Sequence, residues 1–264
     1  MSEEERQIAP SDWNRRKFMA FGVLGLFGAG VWGVREWIAG SPKVDGALAP
    51  LRSALEFNER VNGTIMSDDH SVKEFPKEMA AKKVRVNGNY GVGSPADIAA
   101  WKLTVFTGKP GKDGQLSIAM DQLRALPKTE IVYDFKCIEG WSQITHWGGV
   151  RFKDFAEHFL VGSKSGAAPT NEKPEDLFKY MGLRTPDGEY YVGIDMESAL
   201  HPQTILAYEM NGAPLPANQG APLRLIIPTK YGVKNLKRIG IMLFSDERPK
   251  DYWHERGYDY DCAL

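Results

Sequence analysis

Cysteine is scarce in this 264-residue sequence, which contains only Cys137 and Cys262. Two cysteines are too few for the disulfide framework of a small secreted domain, although a single bridge between them stays possible in an oxidising compartment. The sequence also has no Cys-x-x-Cys or His-Glu-x-x-His motif, and its five histidines are scattered. An ordinary zinc site is therefore not indicated.

Net charge and phosphate-binding motifs are lacking as well. The 33 Lys and Arg residues nearly balance the 34 Asp and Glu residues, so nothing indicates a nucleic-acid-binding protein or a polyanionic tail. No Walker P-loop is present, and Gly91-Val92-Gly93 lacks the third glycine of a dinucleotide-binding motif. The stretch 140–144 is not the nucleophile elbow of a hydrolase, because Ile144 stands where the second glycine belongs. Hydrolases and nucleotide-binding enzymes are thus not favoured.

The N-terminus resembles an export signal. Asn14–Met19 contains an arginine pair followed by a polar residue and phenylalanine, as twin-arginine signals do. An uncharged run of 17 residues, Phe18–Val34, overlaps this motif. As a helix, the run would span roughly 26 Å, slightly less than a bilayer core. We expect residues 1–39 to be a twin-arginine signal or an uncleaved membrane anchor, and the body of the protein to be periplasmic; a buried hairpin helix is the alternative.

The remaining sequence predicts a linker followed by one domain. Residues 40–57, which include Pro42 and Pro50, are typical of a linker, and residues 58–264 predict a single compact body. Alternating apolar residues predict strands at Trp101–Val105, Ile131–Cys137, Tyr190–Ile194, Ile205–Met210, Leu223–Ile227 and Ile239–Phe244. Short amphipathic helices are predicted at Met120–Leu126 and Phe152–Phe159. This mixture indicates an α+β fold with substantial β content.

The stretch Tyr133–Trp141 places Cys137 at the end of a strand pattern, with Glu139 two residues later. Burial statistics favour a small core residue at such a position. A disulfide half, a thiolate ligand and a nucleophile are the alternatives. A nearby carboxylate would raise the pKa of the thiol through like charge, and a bound cation would reverse that effect. The residues alone leave these possibilities open.

A basic segment lies downstream. Residues 210–245 contain no acid but five basic residues, namely Arg224, Lys230, Lys234, Lys237 and Arg238. In a chain whose charges otherwise balance, such a segment creates a local positive field that suits an anion. A solvated basic face is the alternative.

Four segments in family order resemble the molybdopterin-binding domain of the sulfite oxidase superfamily. They are Lys136–Ser142, His201–Gly212, Gly220–Leu225 and Lys230–Lys237. Within that superfamily the similarity is to catalytic subunits of bacterial periplasmic protein-methionine-sulfoxide reductases. The resemblance implies a β-rich α+β fold of the sulfite oxidase type behind an N-terminal signal or anchor helix. It also implies one molybdenum–molybdopterin cofactor (Mo-MPT) and no haem in this chain.

The resemblance also implies roles for individual residues. Cys137 matches the cysteine that ligates molybdenum, and Glu139 is expected to act beside it by orienting substrate or water or by relaying a proton. The implied cofactor-binding residues are Asn58, Arg60, Cys137, Gln219, Arg224, Lys234, Asn235, Leu236 and Lys237. The pterin ends in a phosphate, which gives the basic segment a chemical purpose.

The charge beside Cys137 predicts the direction of the chemistry. The window 131–150 contains Asp134 and Glu139 against Lys136 alone, so it should repel sulfite and favour a neutral substrate such as a sulfoxide or N-oxide. The resemblance implies that electrons come from an integral-membrane haem protein. The alternatives are a sulfite-oxidising or other oxidative molybdoenzyme, and a membrane-anchored accessory subunit without metal.

Overall fold

The computed structural model describes residues 30–65, 70–88, 91–92, 97–108 and 114–264. The predicted twin-arginine motif and the uncharged run up to residue 29 lie outside these ranges. Within them, no helix has both the length and the apolar character needed to cross a membrane. The signal or anchor role of residues 1–39 therefore stays a prediction.

The segment predicted as a linker contains secondary structure. Residues 30–39 are helical (α1), and a two-stranded hairpin, β1 (Lys43–Val44) and β2 (Ala47–Leu48), leads directly into α2 (Ala49–Ile65). Pro50, which suggested a linker, lies in the first turn of α2, where its missing N–H would have had no helical partner. The proposed boundary between residues 57 and 58 thus falls inside one continuous helix.

Two sheets form the body of the described chain. The remaining strands are β3 (Lys102–Phe106), β4 (Gln115–Ala119), β5 (Lys128–Lys136), β6 (Ser142–Arg151), β7 (Tyr180–Arg184), β8 (Tyr191–Asp195), β9 (Ile205–Met210), β10 (Ala213–Pro214), β11 (Arg224–Ile226) and β12 (Ile241–Ser245). One five-stranded sheet has the order β10-β9-β6-β5 with β11 also paired to β9, and the other has the order β4-β3-β12-β7-β8. The short helices are α3 (Met120–Arg124), α4 (Phe152–Phe159) and α5 (Met196–Leu200). This architecture confirms the predicted β-rich α+β fold.

Strand β6 was not predicted from the sequence. It contains Gly148 and Gly149, which are poor strand formers, and its pairing with β9 is irregular between these two residues. A Cβ on Gly149 would lie 2.1 Å from the carbonyl oxygen of Leu206. The glycine therefore permits a close approach of two backbones that no side chain would allow.

The apolar core lies between the sheets and the short helices. Phe152, Phe155 and Ala156 of α4 are fully buried in it, as the predicted amphipathic pattern requires. A second, smaller cluster forms around Ile131, Tyr133 and Trp147 of β5 and β6, together with buried residues of β9 and β11. This smaller cluster supports the end of the β5–β6 hairpin, where the candidate site lies.

Candidate functional site

The turn between β5 and β6 holds Cys137 in a fixed position. The N–H of Cys137 donates to the carbonyl oxygen of Trp141 at 2.9 Å, and the N–H of Gly140 donates to that of Cys137 at 3.0 Å. Gly140 has a φ of +86°, which favours glycine. The turn is thus closed by two hydrogen bonds, and the Cys137 side chain is 7% exposed. Both cysteines are unpaired, so the single bridge that the sequence left possible is not formed.

A cavity of about 280 Å³ opens beside this turn. Its walls come from residues 84–88, from the β5–β6 hairpin, from the 219–237 segment and from the C-terminal region. The lining residues are Val84, Arg85, Asn87, Gly88, Phe135, Cys137, Ile138, Glu139, Trp141, Gln143, Thr145, Trp147, Tyr190, Gln219, Arg224, Gly232, Val233, Asn235, Lys237, Trp253 and Tyr258. The volume is close to the lower end of the range for small-molecule sites, about 300–1,000 Å³.

Glu139 is exposed at the edge of this cavity. Hydrogen bonds from the side chains of Asn87 and Trp141 lower its pKa from the ordinary value of a glutamate. The bond from the Trp141 indole Nε1 to the carboxylate is 3.1 Å long. The Asn87 amide nitrogen also lies 3.6 Å from the Cys137 sulfur. Asn87 therefore connects the thiol and the carboxylate, and the carboxylate is held in its ionised form.

Arg224 is a buried cation whose hydrogen-bond acceptors are all uncharged. It is 2% exposed, and its guanidinium donates to both oxygens of Gln219, at 3.0 and 3.1 Å, and to the carbonyl oxygen of Asn235 at 3.4 Å. It also lies over the Trp147 ring, 4.4 Å from the centroid. Its Nε has no hydrogen-bond partner. Burial lowers the pKa of Arg224 to about 10, so the group stays charged near neutral pH.

Lys237 brings a second cation to the same cavity. Its ammonium donates to the carbonyl oxygens of Asn87 and Gly88, the latter at 3.2 Å. Burial, and then repulsion by Arg224, lower the pKa of Lys237 to about 8. Two positive groups held only by neutral oxygens are costly in a buried place, and an anionic ligand would stabilise both.

A second, larger cavity of about 650 Å³ lies elsewhere, and two of its three cations are paired with acids. It is lined by two lysines: Lys179 is exposed, and the buried Lys230 is paired with Asp195 at 3.0 Å and also with Asp261. Its arginine, Arg248, is paired with Glu59 at 2.6 Å. Lys230 and Arg248 are thus already neutralised, and Lys179 is solvated, so the smaller cavity is the better candidate for an anionic group.

The structure brings together part of the residue set predicted from the sequence. Cys137, Glu139, Gln219, Arg224, Asn235 and Lys237 all line the cavity. Asn58 and Arg60 do not line it; both lie on α2 and are exposed. Leu236 is fully buried in the main core. The cofactor-binding role of these three residues therefore stays a prediction from the resemblance, because their side chains do not line this cavity.

Lys234 is the fourth predicted residue whose side chain does not line the cavity. It is 1% exposed, and its ammonium donates to the Asp251 carboxylate at 2.6 Å and to the carbonyl oxygen of Gly193 at 3.0 Å. Its neighbours Val233 and Asn235 do line the cavity. Lys234 thus fixes the backbone of the cavity wall through a buried ion pair.

Sequence reasoning missed four lining residues of clear chemical interest. They are Arg85, Asn87, Trp253 and Tyr258. Asn87-Gly88 resembles an ordinary turn signal, which is why it attracted no functional interpretation. The Arg85 guanidinium lies 4.7 Å from the Trp141 ring centroid, although Arg85 lies far outside the sequence window used to judge the charge at the site.

Comparison with known proteins adds the family context. The sequence profile of the oxidoreductase molybdopterin binding domain matches residues 91–253. A putative protein-methionine-sulfoxide reductase subunit of Azospira oryzae is 34% identical over 212 residues, covering 80% of this chain and 74% of that protein. A protein-methionine-sulfoxide reductase catalytic subunit of Xanthomonas axonopodis pv. citri is 35% identical over 162 residues, or 58% of this chain. That match spans 49%, about half, of the relative's length.

Among solved structures, the sulfane dehydrogenase SoxCD of Paracoccus pantotrophus matches 59% of this chain and 40% of its own. The sequence identity is 16% and the TM-score is 0.46. A further relative, a protein-methionine-sulfoxide reductase catalytic subunit of Ralstonia nicotianae, is 28% identical over 254 residues, covering 91% of this chain and 71% of that protein.

Proposed function

This chain belongs to the oxidoreductase molybdopterin-binding domain family and is a molybdopterin-dependent oxidoreductase; on that premise we propose that it reduces sulfoxides of the methionine-sulfoxide type, or N-oxides. The observation that carries the proposal is one shared cavity. A fixed thiol, Cys137, an ionised carboxylate, Glu139, and two cations without anionic acceptors, Arg224 and Lys237, all line it. Relatives named as subunits of protein-methionine-sulfoxide reductases support the choice of substrate class.

The residues present fit a molybdenum–molybdopterin cofactor. A cysteine thiolate is a soft ligand suited to such a metal, and Cys137 lies in the cavity wall. The unpartnered Nε of Arg224 and the ammonium of Lys237 would hold the anionic end of the pterin. When bound, the cofactor supplies oxygen-atom transfer coupled to a two-electron redox change.

The chain's own groups position the substrate and orient water. Reduction of a sulfoxide to a sulfide consumes two electrons and two protons and releases water. Glu139, held ionised by Asn87 and Trp141, accepts a hydrogen bond from a water molecule in the cavity and so orients it towards the substrate, while solvent supplies both protons. The indole of Trp141, stacked on Phe135 with ring centroids 6.0 Å apart, provides an apolar face for the substrate's methyl or methylene groups.

A second candidate function is oxidation of sulfite. The observation that favours it is Arg85, whose guanidinium lies over Trp141 and close enough to Glu139 to lower that residue's pKa. Arg85 supplies a positive charge at the edge of the cavity, which the sequence argument had overlooked, and cations there would attract an anionic substrate. The charges of Arg85 and Glu139 oppose each other, so an assay must decide.

The test is steady-state turnover of sulfite against methionine sulfoxide and dimethyl sulfoxide, in the native protein and in Glu139→Gln. We expect sulfoxide reduction by the native protein. In Glu139→Gln the ratio of kcat/KM for methionine sulfoxide to kcat/KM for sulfite should fall by about fivefold, because one negative charge near the substrate is removed. Glu130→Gln, which changes an acid outside the cavity lining, is the control. Robust sulfite turnover without sulfoxide reduction would overturn the reductase assignment.

Location and partners complete the proposal. We propose that the protein is exported by the twin-arginine route and is held at the membrane by its N-terminal helix, where an integral-membrane haem protein donates electrons. The exposed side chains of Trp32 and Trp37 on α1, 63% and 64% exposed, support a membrane-interface position. Fractionation of cells that express the full chain should recover it with the membrane, and recovery from the cytoplasm would contradict this placement.

A further inference from the structure

We propose that Arg52, which lies outside the cavity, is a positioning residue that holds part of the cavity wall in place. Trp253 and Tyr258 supply that part of the wall, and both belong to the C-terminal loop 251–258. Arg52 lies on α2, about two hundred residues away in the sequence. The inference rests on the proposed function only in taking this cavity as the substrate site. If so, the β1–β2 hairpin and α2 belong to the structure that supports the substrate site.

Arg52 is 2% exposed and contacts two separate segments of the chain. On the loop, its guanidinium donates to the carbonyl oxygens of His254 and Tyr258, each at 2.9 Å, and lies 3.1 Å from His254 Nδ1. On the hairpin, it donates to the carbonyl oxygens of Asp45 at 2.5 Å and Val44 at 3.5 Å. A planar group with five donors suits this arrangement of acceptors, whereas a lysine ammonium offers only three.

The backbones of the hairpin and the loop also touch directly. Gly46 has a φ of +77°, and a Cβ there would lie 2.5 Å from the carbonyl oxygen of Glu255. Gly257 has a φ of +94°, and a Cβ on it would lie 3.2 Å from the carbonyl oxygen of Gly46. At these two glycines the backbones of the two segments therefore pack directly against each other, and Arg52 donates hydrogen bonds to both segments.

The beginning of the loop is fixed by a different residue. Asp251, paired with Lys234, accepts hydrogen bonds from the N–H groups of Trp253 and His254, each at 3.1 Å. At the other end, the Tyr258 N–H donates to the Trp253 carbonyl oxygen at 3.1 Å, and the two rings lie 5.1 Å apart at 70°. Asp251 thus secures the start of the loop, and Arg52 secures the end that carries Tyr258.

The test compares the full chain carrying Arg52→Gln with the native chain by two readouts. Amide hydrogen exchange, measured before cofactor loading, should become about 10–100-fold faster at residues 254–258, because the charged hydrogen bonds that hold them are lost. In the loaded enzyme, KM for methionine sulfoxide should rise about tenfold, while kcat and molybdenum content change less than about twofold. If Arg52 only stabilised the fold, the folded fraction of Arg52→Gln would keep the native KM as well as the native kcat.

Further variants keep the test decisive if Arg52→Gln does not fold. Arg52→Lys should fall between the native chain and Arg52→Gln in both readouts. Gly46→Ala, which pushes the hairpin off the loop but keeps the arginine, should speed exchange at residues 254–258 and raise KM. Arg124→Gln, at an exposed arginine of α3 that pairs with Asp121, is the matched control and should change neither.

Unchanged exchange at residues 254–258 together with an unchanged KM, in folded Arg52→Gln or in Gly46→Ala, would overturn the proposal. The exchange readout needs no cofactor and no substrate. A native protein that fails to reduce sulfoxides would therefore disprove the proposed function, while the exchange result would still decide the role of Arg52.

Discussion

Replacing Cys137 by alanine is expected to reduce sulfoxide turnover by more than about 100-fold. Even the hydrogen-bonding partners of metal ligands contribute about 10–100-fold to metal affinity or activity, so loss of the proposed ligand itself should exceed that range. The substitution removes one small sulfur atom from a side chain that is only 7% exposed, and the turn is closed by backbone hydrogen bonds that alanine retains. The folded structure should therefore persist, and turnover per folded protein is the measurement.

Cys262→Ala is the matched control for that variant. Cys262 is also buried, but it does not line the cavity, and its Sγ donates to the carbonyl oxygen of Asp259 at 3.0 Å. Burial raises the pKa of Cys262 to about 12, so it stays a neutral thiol. We expect near-native turnover from it. A Cys137→Ala protein that keeps both molybdenum and activity would contradict the proposal that Cys137 is the molybdenum ligand.

Asp251→Asn is expected to lower the free energy of unfolding by about 3–5 kcal/mol, the usual cost of removing one partner of a buried ion pair. The side chains of Asp251 and Lys234 are 3% and 2% exposed, and their charged atoms lie 2.6 Å apart. Asparagine keeps the shape but leaves the lysine charge without compensation. Equilibrium denaturation by urea, followed by circular dichroism, measures the change.

Asp121→Asn is the control for this second prediction. Asp121 pairs with Arg124 at 3.8 Å, and its side chain is 97% exposed, so its loss should leave the denaturation midpoint nearly unchanged. A destabilisation of Asp251→Asn no larger than that of the control would show that the buried pair does not hold the loop to the cavity wall.

The sequence was sufficient where the relevant information is local. Strand β9 and helix α4 have the bounds predicted from their apolar periodicity, because each buries one face in the core. The end of β5 was also predicted to within one residue, at Cys137 against the observed Lys136, because the apolar alternation stops there. Strand β6 was missed because glycine has a low strand propensity. Gly148 and Gly149 lie where β6 approaches β9 closely, and this contact is not visible in the sequence.

The basic segment shows why charge pattern alone does not define a site. Only Arg224 and Lys237 of its five basic residues line the cavity. Lys230 and Lys234 are paired with aspartates from other parts of the chain, and Arg238 donates to the carbonyl oxygen of Ala221 at 3.1 Å. Whether a lysine forms an ion pair with an acid depends on contacts between segments that are distant in the sequence. Residue spacing does not predict these contacts.

Long-range contacts also explain which lining residues the sequence analysis missed. Asn58 matched the family loosely, but it lies on the exposed side of α2. Asn87 takes the place beside Cys137, with its amide 3.6 Å from the sulfur across fifty positions of sequence. Trp253 and Tyr258 line the cavity from a loop to which the distant Arg52 donates a hydrogen bond, and whose first turn Asp251 caps.

The most direct test of the account is the molybdenum and pterin content of the native chain, purified from a host that makes the cofactor. Metal analysis, together with fluorescence of the oxidised pterin, should find about one molybdenum and one pterin per chain, because Cys137, Arg224 and Lys237 line a single cavity. Protein that is folded but lacks stoichiometric molybdenum and pterin would contradict the account and favour an accessory subunit that keeps the fold without the metal.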